Sequence, residues 1–176
     1  MISAIQSVIP YLVLSSHIAL GVLFVALLSH RSFGKDISHW VGKHALTLGF
    51  LVSLVAVLGS LFYSNVVGFD PCVLCWWQRI FIYPTLILFI TALINKERGV
   101  FRYILPLSLI ASVIALYHSY VQWGGDPLIP CSATASCSKL YVYAFNYITI
   151  PSMSLTIGLA LILIYWANRI YENRNS

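Results

Sequence analysis

Long apolar segments dominate the chain, and short polar connections separate them. A helix needs about 20 apolar residues to cross the hydrocarbon core of a bilayer. Candidate spans of about this length are Ile5–Ser29, Ala45–Tyr63, Ile80–Ile94, Tyr103–Val121 and Ser152–Ile170. The third is short if counted strictly, but Trp76 and Trp77 before it can lie at the membrane interface and complete it. The pattern therefore predicts five transmembrane helices.

Small residues recur along these segments, where they allow neighbouring helices to approach closely. They are Ser15, Ser16, Gly21, Gly49, Ser53, Gly59, Ser60, Ser108, Ser112, Ser154 and Gly158. Connections such as Asn95–Phe101 are short, so neighbouring helices should pack antiparallel. We therefore expect an all-α, integral membrane helical bundle that forms a single membrane domain over residues 1–176.

The composition agrees with a membrane location. Hydrophobic residues make up 60% of the chain and charged residues 9%, whereas a soluble domain has about 25% charged residues. The first apolar segment could be a secretory signal, but no positive residue precedes it and no persuasive cleavage site follows. It is therefore predicted to be a retained span.

The positive charges are unevenly distributed among the connections, and this asymmetry predicts the orientation. Most follow the first, third and fifth spans, which should therefore end in the cytoplasm: Arg31, Lys35, Lys43, Lys96, Arg98, Arg102, Arg169 and Arg174. The other two connections carry Arg79 and Lys139 with Asp70 and Asp126, so they and the N-terminus should lie outside. The net charge of +5 follows from this pattern and does not indicate a nucleic-acid partner.

All four cysteines fall in the two outer connections, in a compartment that permits disulfides. Cys72 and Cys75 form a Cys-x-x-Cys motif where the third helix begins, directly after Pro71, which suits the first turn of a helix. The spacing brings both sulfurs within reach of one disulfide, and the helix N-terminus favours a thiolate over a thiol. The motif therefore predicts redox cycling.

Arg79 lies one helical turn after Cys75, on the same face. An ionisable residue at the edge of an apolar span is a functional candidate, although an anchor that reaches lipid phosphates would look the same. Near the sulfur, a guanidinium can stabilise a thiolate and donate hydrogen bonds to a carbonyl oxygen of a bound acceptor. Gln78 is either a polar neighbour of this site or solvated surface.

Cys131 and Cys137 belong to a second outer connection that is rich in glycine and proline and is expected to be mobile and poor in helix. A disulfide there would be either a static staple or a target for an incoming thiolate, and the nearby Cys-x-x-Cys favours the target. Zinc binding by four cysteines is disfavoured by the second spacing, by the oxidising compartment and by His118 being the one outer histidine. No metal is predicted, and His118 taken alone would be a packing residue.

The segment from Cys72 to Arg79 resembles the disulfide bond formation protein B (DsbB) family, including its BdbC-like branch. The similarity extends over Ala45 to Ile170 and includes a histidine before the second outer loop, two cysteines in that loop and Pro151 at the start of the last span. The resemblance implies a protein-disulfide:quinone oxidoreductase of the bacterial cytoplasmic membrane. Its partner would be a DsbA-like thiol oxidase of the thioredoxin fold, and its cofactor ubiquinone or menaquinone.

The resemblance also implies residue roles. Cys75 would face the quinone, Arg79 would support its binding, and His118 would lie near its head group. Cys72 would exchange with the second loop through Cys137.

Cys131 would then be the sulfur that the reduced partner attacks. The close spacing of the loop cysteines, and Gln78 in place of an acidic residue before the arginine, resemble a short-loop branch of the family. The family core would be the four helices within 45–170, with 1–44 an additional span and basic connection and 171–176 a cytoplasmic tail.

Two other functions stay open on the sequence. A vitamin K epoxide reductase type of bundle also has a Cys-x-x-Cys and a loop pair, but its active pair lies at another point in the helix order. A membrane scaffold with two static disulfides would need no catalysis.

Overall fold

The computed structural model describes residues 2–29, 32–129, 131 and 136–175, without the side chains of residues 2–5, 32 and 33. Arg31, one of the predicted cytoplasmic basic residues, lies outside the described residues. The α-helices are α1 Ile2–Leu28, α2 Ser32–Lys43, α3 Ala45–Leu61, α4 Val73–Asn95, α5 Phe101–Gln122 and α6 Ile150–Asn175. A π-helical turn, Phe62–Val66, continues α3, and a 3₁₀ turn, Arg98–Val100, leads into α5.

Five helices are long and apolar enough to cross a membrane, as predicted: α1, α3, α4, α5 and α6. The helices that extend furthest beyond the predicted apolar segments are α4 and α6. Helix α4 begins at Val73, at the Cys-x-x-Cys motif as predicted, and Trp76 and Trp77 in its first turns lengthen the apolar segment Ile80–Ile94. Helix α6 continues through Asn175, so the described part of the predicted tail, 171–175, is helical.

Helix α2 was not predicted and lies within the basic connection after α1. Its buried positions, Gly34, Ser38, Val41 and Gly42, recur every three or four residues, while Lys35 and its other charged positions are exposed. This spacing is that of an amphipathic helix. Helix α2 packs against α1 and α6, and a side chain at Gly42 would clash with the backbone of Ala167 in α6.

Helices α3 to α6 form the four-helix core, with α3 against α4 and α6, and α5 between α4 and α6. Small residues do permit close packing at several points. Phe89 packs directly over Gly49, and Ser112 occupies the space that a side chain at Gly158 would need. Ser53 and Thr85 share a buried hydrogen bond of 2.9 Å. Gly21 and Gly59 face open space instead, so the prediction of close packing was wrong there.

The additional span, α1, packs against α2 and α6. Its His17 is hydrogen-bonded through Nδ1 to the Tyr147 hydroxyl at 3.1 Å and through Nε2 to Thr156 Oγ1 at 2.7 Å. Tyr11 contacts the Phe145 ring edge-on at 5.3 Å. The added span therefore holds α6 and the end of the connection that precedes it.

Arg98 joins three segments at the end of the bundle opposite the cysteines. Its Nη1 donates to the Gly42 carbonyl at 2.8 Å and to Asn168 Oδ1 at 2.6 Å, and its Nη2 donates to the Lys43 carbonyl at 2.8 Å. These carbonyls terminate α2, where a cation is favourable. The guanidinium also lies 4.8 Å from the centre of the Tyr171 ring.

We expect Arg98→Ala to destabilise the bundle by about 2 kcal/mol, because three charge-assisted hydrogen bonds are lost and their acceptors stay near the protein interior. Thermal unfolding in detergent measures the effect. Arg102→Ala is the matched control, since Arg102 is exposed and its guanidinium lies over the neighbouring Tyr103 ring. Equal unfolding temperatures for the two variants would contradict this account.

Candidate functional site

The Cys-x-x-Cys motif occupies the start of α4. Cys72 is the N-cap residue, and its carbonyl accepts a hydrogen bond from the Trp76 amide at 3.1 Å. Cys75 lies in the first turn, with its sulfur 3.1 Å from that of Cys72. Both are thiols; Cys72 is buried, with 3% of its surface exposed, and Cys75 is partly buried. The first-turn amides point toward this region and favour negative charge there.

Helix α4 presents two different faces above this turn. Leu74, Gln78 and Ile82 are spaced four residues apart and are buried in the bundle. Cys75 and Arg79, also four apart, lie on a neighbouring face that meets the end of α3. The two adjacent polar residues, Gln78 and Arg79, therefore point to different surroundings.

Arg79 is held by Ser60 on α3. Its Nε donates to Ser60 Oγ at 2.9 Å and its Nη2 donates to the Ser60 carbonyl at 3.3 Å. Tyr83 also donates to Ser60 Oγ, at 3.1 Å. The guanidinium lies 5.0 Å from the centre of the Trp76 ring, and that ring is exposed. Arg79 is thus fixed beside an open aromatic surface, one turn from Cys75.

His118, near the end of α5, lies between the two cysteine pairs. Only 2% of its surface is exposed. Its Nε2 is 3.1 Å from the Cys137 carbonyl oxygen and 3.6 Å from Cys72 Sγ, and its Nδ1 is 3.3 Å from Gln78 Nε2. A carbonyl oxygen only accepts hydrogen bonds, so Nε2 carries the proton and Nδ1 accepts from the Gln78 amide. One N–H group therefore faces both Cys137 and Cys72.

The second pair forms a disulfide, Cys131–Cys137. Cys137 has 1% of its surface exposed and packs with Cys72, Leu74 and Val121 in a buried group that we call the cysteine cluster. Cys131 lies at the edge of this cluster and is partly buried. The fold therefore brings the two pairs together, with Cys137 on the inside and Cys131 on the outside.

Aromatic side chains fasten the second outer connection to the first. Phe69 stacks between Tyr63 and Tyr141, with ring centres 5.8 and 4.6 Å away. The Tyr141 hydroxyl donates to the carbonyl of Asp70, close to Cys72 in the chain, at 3.2 Å. These contacts hold the connection that carries Cys137 above the start of α4.

Gln78 and Ser60 are two members of the site that the sequence did not assign: Gln78 was left open between a polar neighbour and solvated surface, and Ser60 was missed. Gln78 is buried, with 6% exposed, so the option of solvated surface was wrong. The sequence feature that could have revealed this burial is the position of Gln78 four residues after Leu74 and four before Ile82, on one face of α4. Ser60 was interpreted only as a small packing residue, and nothing local reveals that it accepts the Arg79 hydrogen bonds.

The surroundings of Cys72 favour its thiolate. A hydrogen bond from the Cys75 thiol lowers the pKa of Cys72, burial opposes this, and the hydrogen bond and electrostatic influence of His118 lower the pKa further. The sum places the pKa of Cys72 well below that of an ordinary thiol. The same region offers three metal-binding atoms, because Cys72 Sγ, Cys75 Sγ and a ring nitrogen of His118 lie within 4.8 Å of one another.

Comparison with known proteins assigns the family. The family model described as disulfide bond formation protein DsbB matches residues 42–168, which include Cys72, Cys75, His118 and both loop cysteines. The chain belongs to the DsbB family. It is therefore a multi-pass membrane protein of a family whose members are named for disulfide bond formation.

Relatives of this DsbB-family protein agree. The SPbeta prophage-derived disulfide bond formation protein B of Bacillus subtilis (strain 168) is 37% identical over 139 residues, covering 76% of this chain and 94% of the relative. Disulfide bond formation protein C of the same organism is 37% identical over 122 residues, covering 68% and 88%. A probable disulfide formation protein of Metapseudomonas resinovorans is 37% identical over 113 residues, covering 62% and 78%. No solved structure gave a significant match.

The His118 contact predicts a titration. A lowered pKa keeps Cys72 as a thiolate at pH values below the ordinary thiol pKa of about 8.5, and the thiolate is lost only as the pH falls through the lowered pKa. We expect His118→Phe to raise the pKa of Cys72 by about 1 or more. The ultraviolet absorbance of the thiolate in reduced protein, with Cys72→Ser as the blank, measures it. His39→Phe, at the other end of the bundle, should leave the titration unchanged; an unchanged curve for His118→Phe would refute the contact's role.

Proposed function

We propose that this protein reoxidises an extracytoplasmic, thioredoxin-like dithiol protein and passes the electron pair to a membrane quinone, thereby supporting disulfide bond formation. One observation carries the proposal: Cys137 and Cys72 are buried in the same cluster, and the N–H group of His118 faces both residues. Thiol–disulfide exchange requires contact between the sulfurs that react. A loop disulfide buried in the same cluster as the dithiol is placed to make that contact.

Electrons enter at Cys131 in this proposal. A thiolate of the partner attacks Cys131 Sγ, forms a mixed disulfide and releases the Cys137 thiolate. The second thiolate of the partner then attacks the partner's sulfur in the mixed disulfide. This step forms the partner's own disulfide and releases the Cys131 thiolate. Burial supports this choice, because Cys131 is the more accessible sulfur of the pair while Cys137 is enclosed.

Exchange between the pairs follows. The Cys137 thiolate attacks Cys72 Sγ of an oxidised Cys72–Cys75 pair and releases the Cys75 thiolate. Cys131 then attacks Cys137, which re-forms the loop disulfide and releases the Cys72 thiolate. The His118 N–H stabilises the charge that develops on Cys72. A closed Cys131–Cys137 bond above a Cys72–Cys75 dithiol is the product of this step and is the arrangement in the structure.

The residues around Cys75 fit a quinone. A guanidinium has five N–H donors, and Ser60 accepts two of those on Arg79, which leaves donors for a carbonyl oxygen. The exposed face of Trp76 offers a flat apolar surface beside it. When bound, the quinone would accept the two electrons and two protons released as the Cys72–Cys75 disulfide re-forms. Arg79 would orient its oxygen and stabilise the Cys75 thiolate.

His118 has polar contacts with Cys72, Gln78 and Cys137. Its part in the proposal is therefore to organise exchange between the pairs. A place for it near the quinone head group stays a prediction of the family resemblance.

The proposed orientation places the N-terminus and both cysteine connections outside the bacterial cytoplasmic membrane and the C-terminus in the cytoplasm. The Arg98 hydrogen bonds support it, because they gather α2, the start of α5 and the end of α6 at one end of the bundle. The basic residues of those segments then share one side, which the positive-inside rule assigns to the cytoplasm. The cysteines lie at the other end.

Cys75→Ser tests the direction of electron flow. The variant should lose quinone reduction, because Cys72 has no partner sulfur with which to re-form a disulfide, yet the reduced partner should still be captured on Cys131. Quinone absorbance measures the first activity, and trapping of the mixed disulfide measures capture of the partner. Cys131→Ser is the complement: it should lose capture of the partner but keep quinone reduction driven by a small dithiol. Sustained quinone-dependent turnover in Cys75→Ser would contradict the proposal.

A further inference from the structure

We propose that the reduced protein contains a binding site for a thiophilic divalent cation, Zn²⁺ in particular, formed by Cys72 Sγ, Cys75 Sγ and His118 Nε2. The sequence alone disfavoured zinc binding by four cysteines, because of the spacing of the second pair, the oxidising compartment and the single outer histidine. The fold instead supplies a histidine to the first pair. The site goes beyond the proposed relay, which needs no metal.

One ligand distance matches a tetrahedral centre, and the others require a movement of the Cys75 sulfur. With Zn–S bonds of about 2.3 Å and Zn–N bonds of about 2.05 Å, tetrahedral angles place a sulfur and a nitrogen ligand about 3.6 Å apart and two sulfurs about 3.8 Å apart. Cys72 Sγ and His118 Nε2 are 3.6 Å apart. The two sulfurs, at 3.1 Å, need to separate by about 0.7 Å to reach the tetrahedral distance. Rotation of the partly buried Cys75 side chain can move its sulfur, which already lies within 4.8 Å of both other ligand atoms.

The donor set suits zinc in a buried place. Two thiolates neutralise the charge of Zn²⁺, so the filled site carries no net charge into a low-dielectric region. Binding displaces the remaining thiol protons into solvent and changes no oxidation state. Two cysteines and one histidine leave a fourth position for water or another oxygen, as in three-ligand zinc sites.

Gln78 provides the support that a histidine ligand requires. Coordination through Nε2 moves the ring proton to Nδ1, which then needs an acceptor. Gln78 already lies 3.3 Å from Nδ1, and rotation of its amide presents Oε1 in place of Nε2. The Cys137 carbonyl loses the Nε2 hydrogen bond at the same time, so the metal competes with the contact between His118 and the second outer connection.

The site exists in only one redox state. A Cys72–Cys75 disulfide has no thiolate to offer, whereas the dithiol offers two. Zinc would therefore trap the protein after electrons arrive and before they leave, and would inhibit it reversibly. This consequence, unlike the binding itself, rests on the proposed function.

The binding test uses the full chain in detergent and needs neither quinone nor partner. Cys131→Ser/Cys137→Ser protein, reduced and freed of reductant, is titrated with Co²⁺ and then with Zn²⁺ in competition. We expect one Co²⁺ per chain with thiolate-to-cobalt charge-transfer absorption, and none after oxidation. Gln78→Leu should weaken binding about 10- to 100-fold, and His118→Asn should weaken it at least as much. His39→Asn should bind like the parent.

Two results would overturn the site: equal binding by the oxidised and reduced forms, or full affinity and unchanged absorption in His118→Asn. If His118→Asn loses the thiolate-to-cobalt absorption but still unfolds at the temperature of the parent protein, misfolding is excluded as the cause of the loss. Turnover with and without Zn²⁺, followed by a chelator, tests the consequence. Inhibition at the Zn²⁺ concentration that fills the site would support the proposed inhibition. Undiminished turnover with the site filled would refute the inhibition but not the binding site.

Discussion

The hydrogen bonds of one buried imidazole organise the candidate site. The Nε2–H group of His118 faces the Cys137 carbonyl and Cys72 Sγ, and Gln78 satisfies Nδ1. A buried polar ring without partners would be costly, and breaking one contact would leave another group unsatisfied. The same ring therefore fixes the position of the second outer connection and the electrostatic surroundings of the first cysteine.

Helix α4 separates the two sides of the site. Its buried stripe directs Gln78 toward α5 and the exchange between cysteine pairs, while the next residue, Arg79, faces Ser60 and the exposed Trp76 ring. In the proposed function, electrons enter and leave the dithiol on two neighbouring faces of this helix. The dithiol lies between the two faces, so the proposed metal bound there would block both steps of the proposed relay.

The sequence predicts the parts of this protein that depend on local properties. Span number follows from apolar length, and the dithiol at a helix start follows from the spacing of Cys72 and Cys75. The structure differs from the sequence-based predictions where a residue or helix packs against residues that are distant in the sequence. Helix α2 is stabilised by packing on α6, Gln78 is buried because α5 places His118 beside it, and Ser60 acquires its role only when α3 packs on α4. No local pattern encodes those pairings.

The central claim is that Cys137, rather than Cys131, exchanges with Cys72. Mild oxidation of Cys75→Ser/Cys131→Ser protein, followed by mass spectrometry of linked peptides, tests it most directly, with Cys75→Ser/Cys137→Ser as the matched control. The account predicts a Cys72–Cys137 disulfide in the first variant and much less Cys72–Cys131 linkage in the second, because Cys137 packs in the cysteine cluster with Cys72. Efficient linkage to Cys131 with none to Cys137 would contradict it.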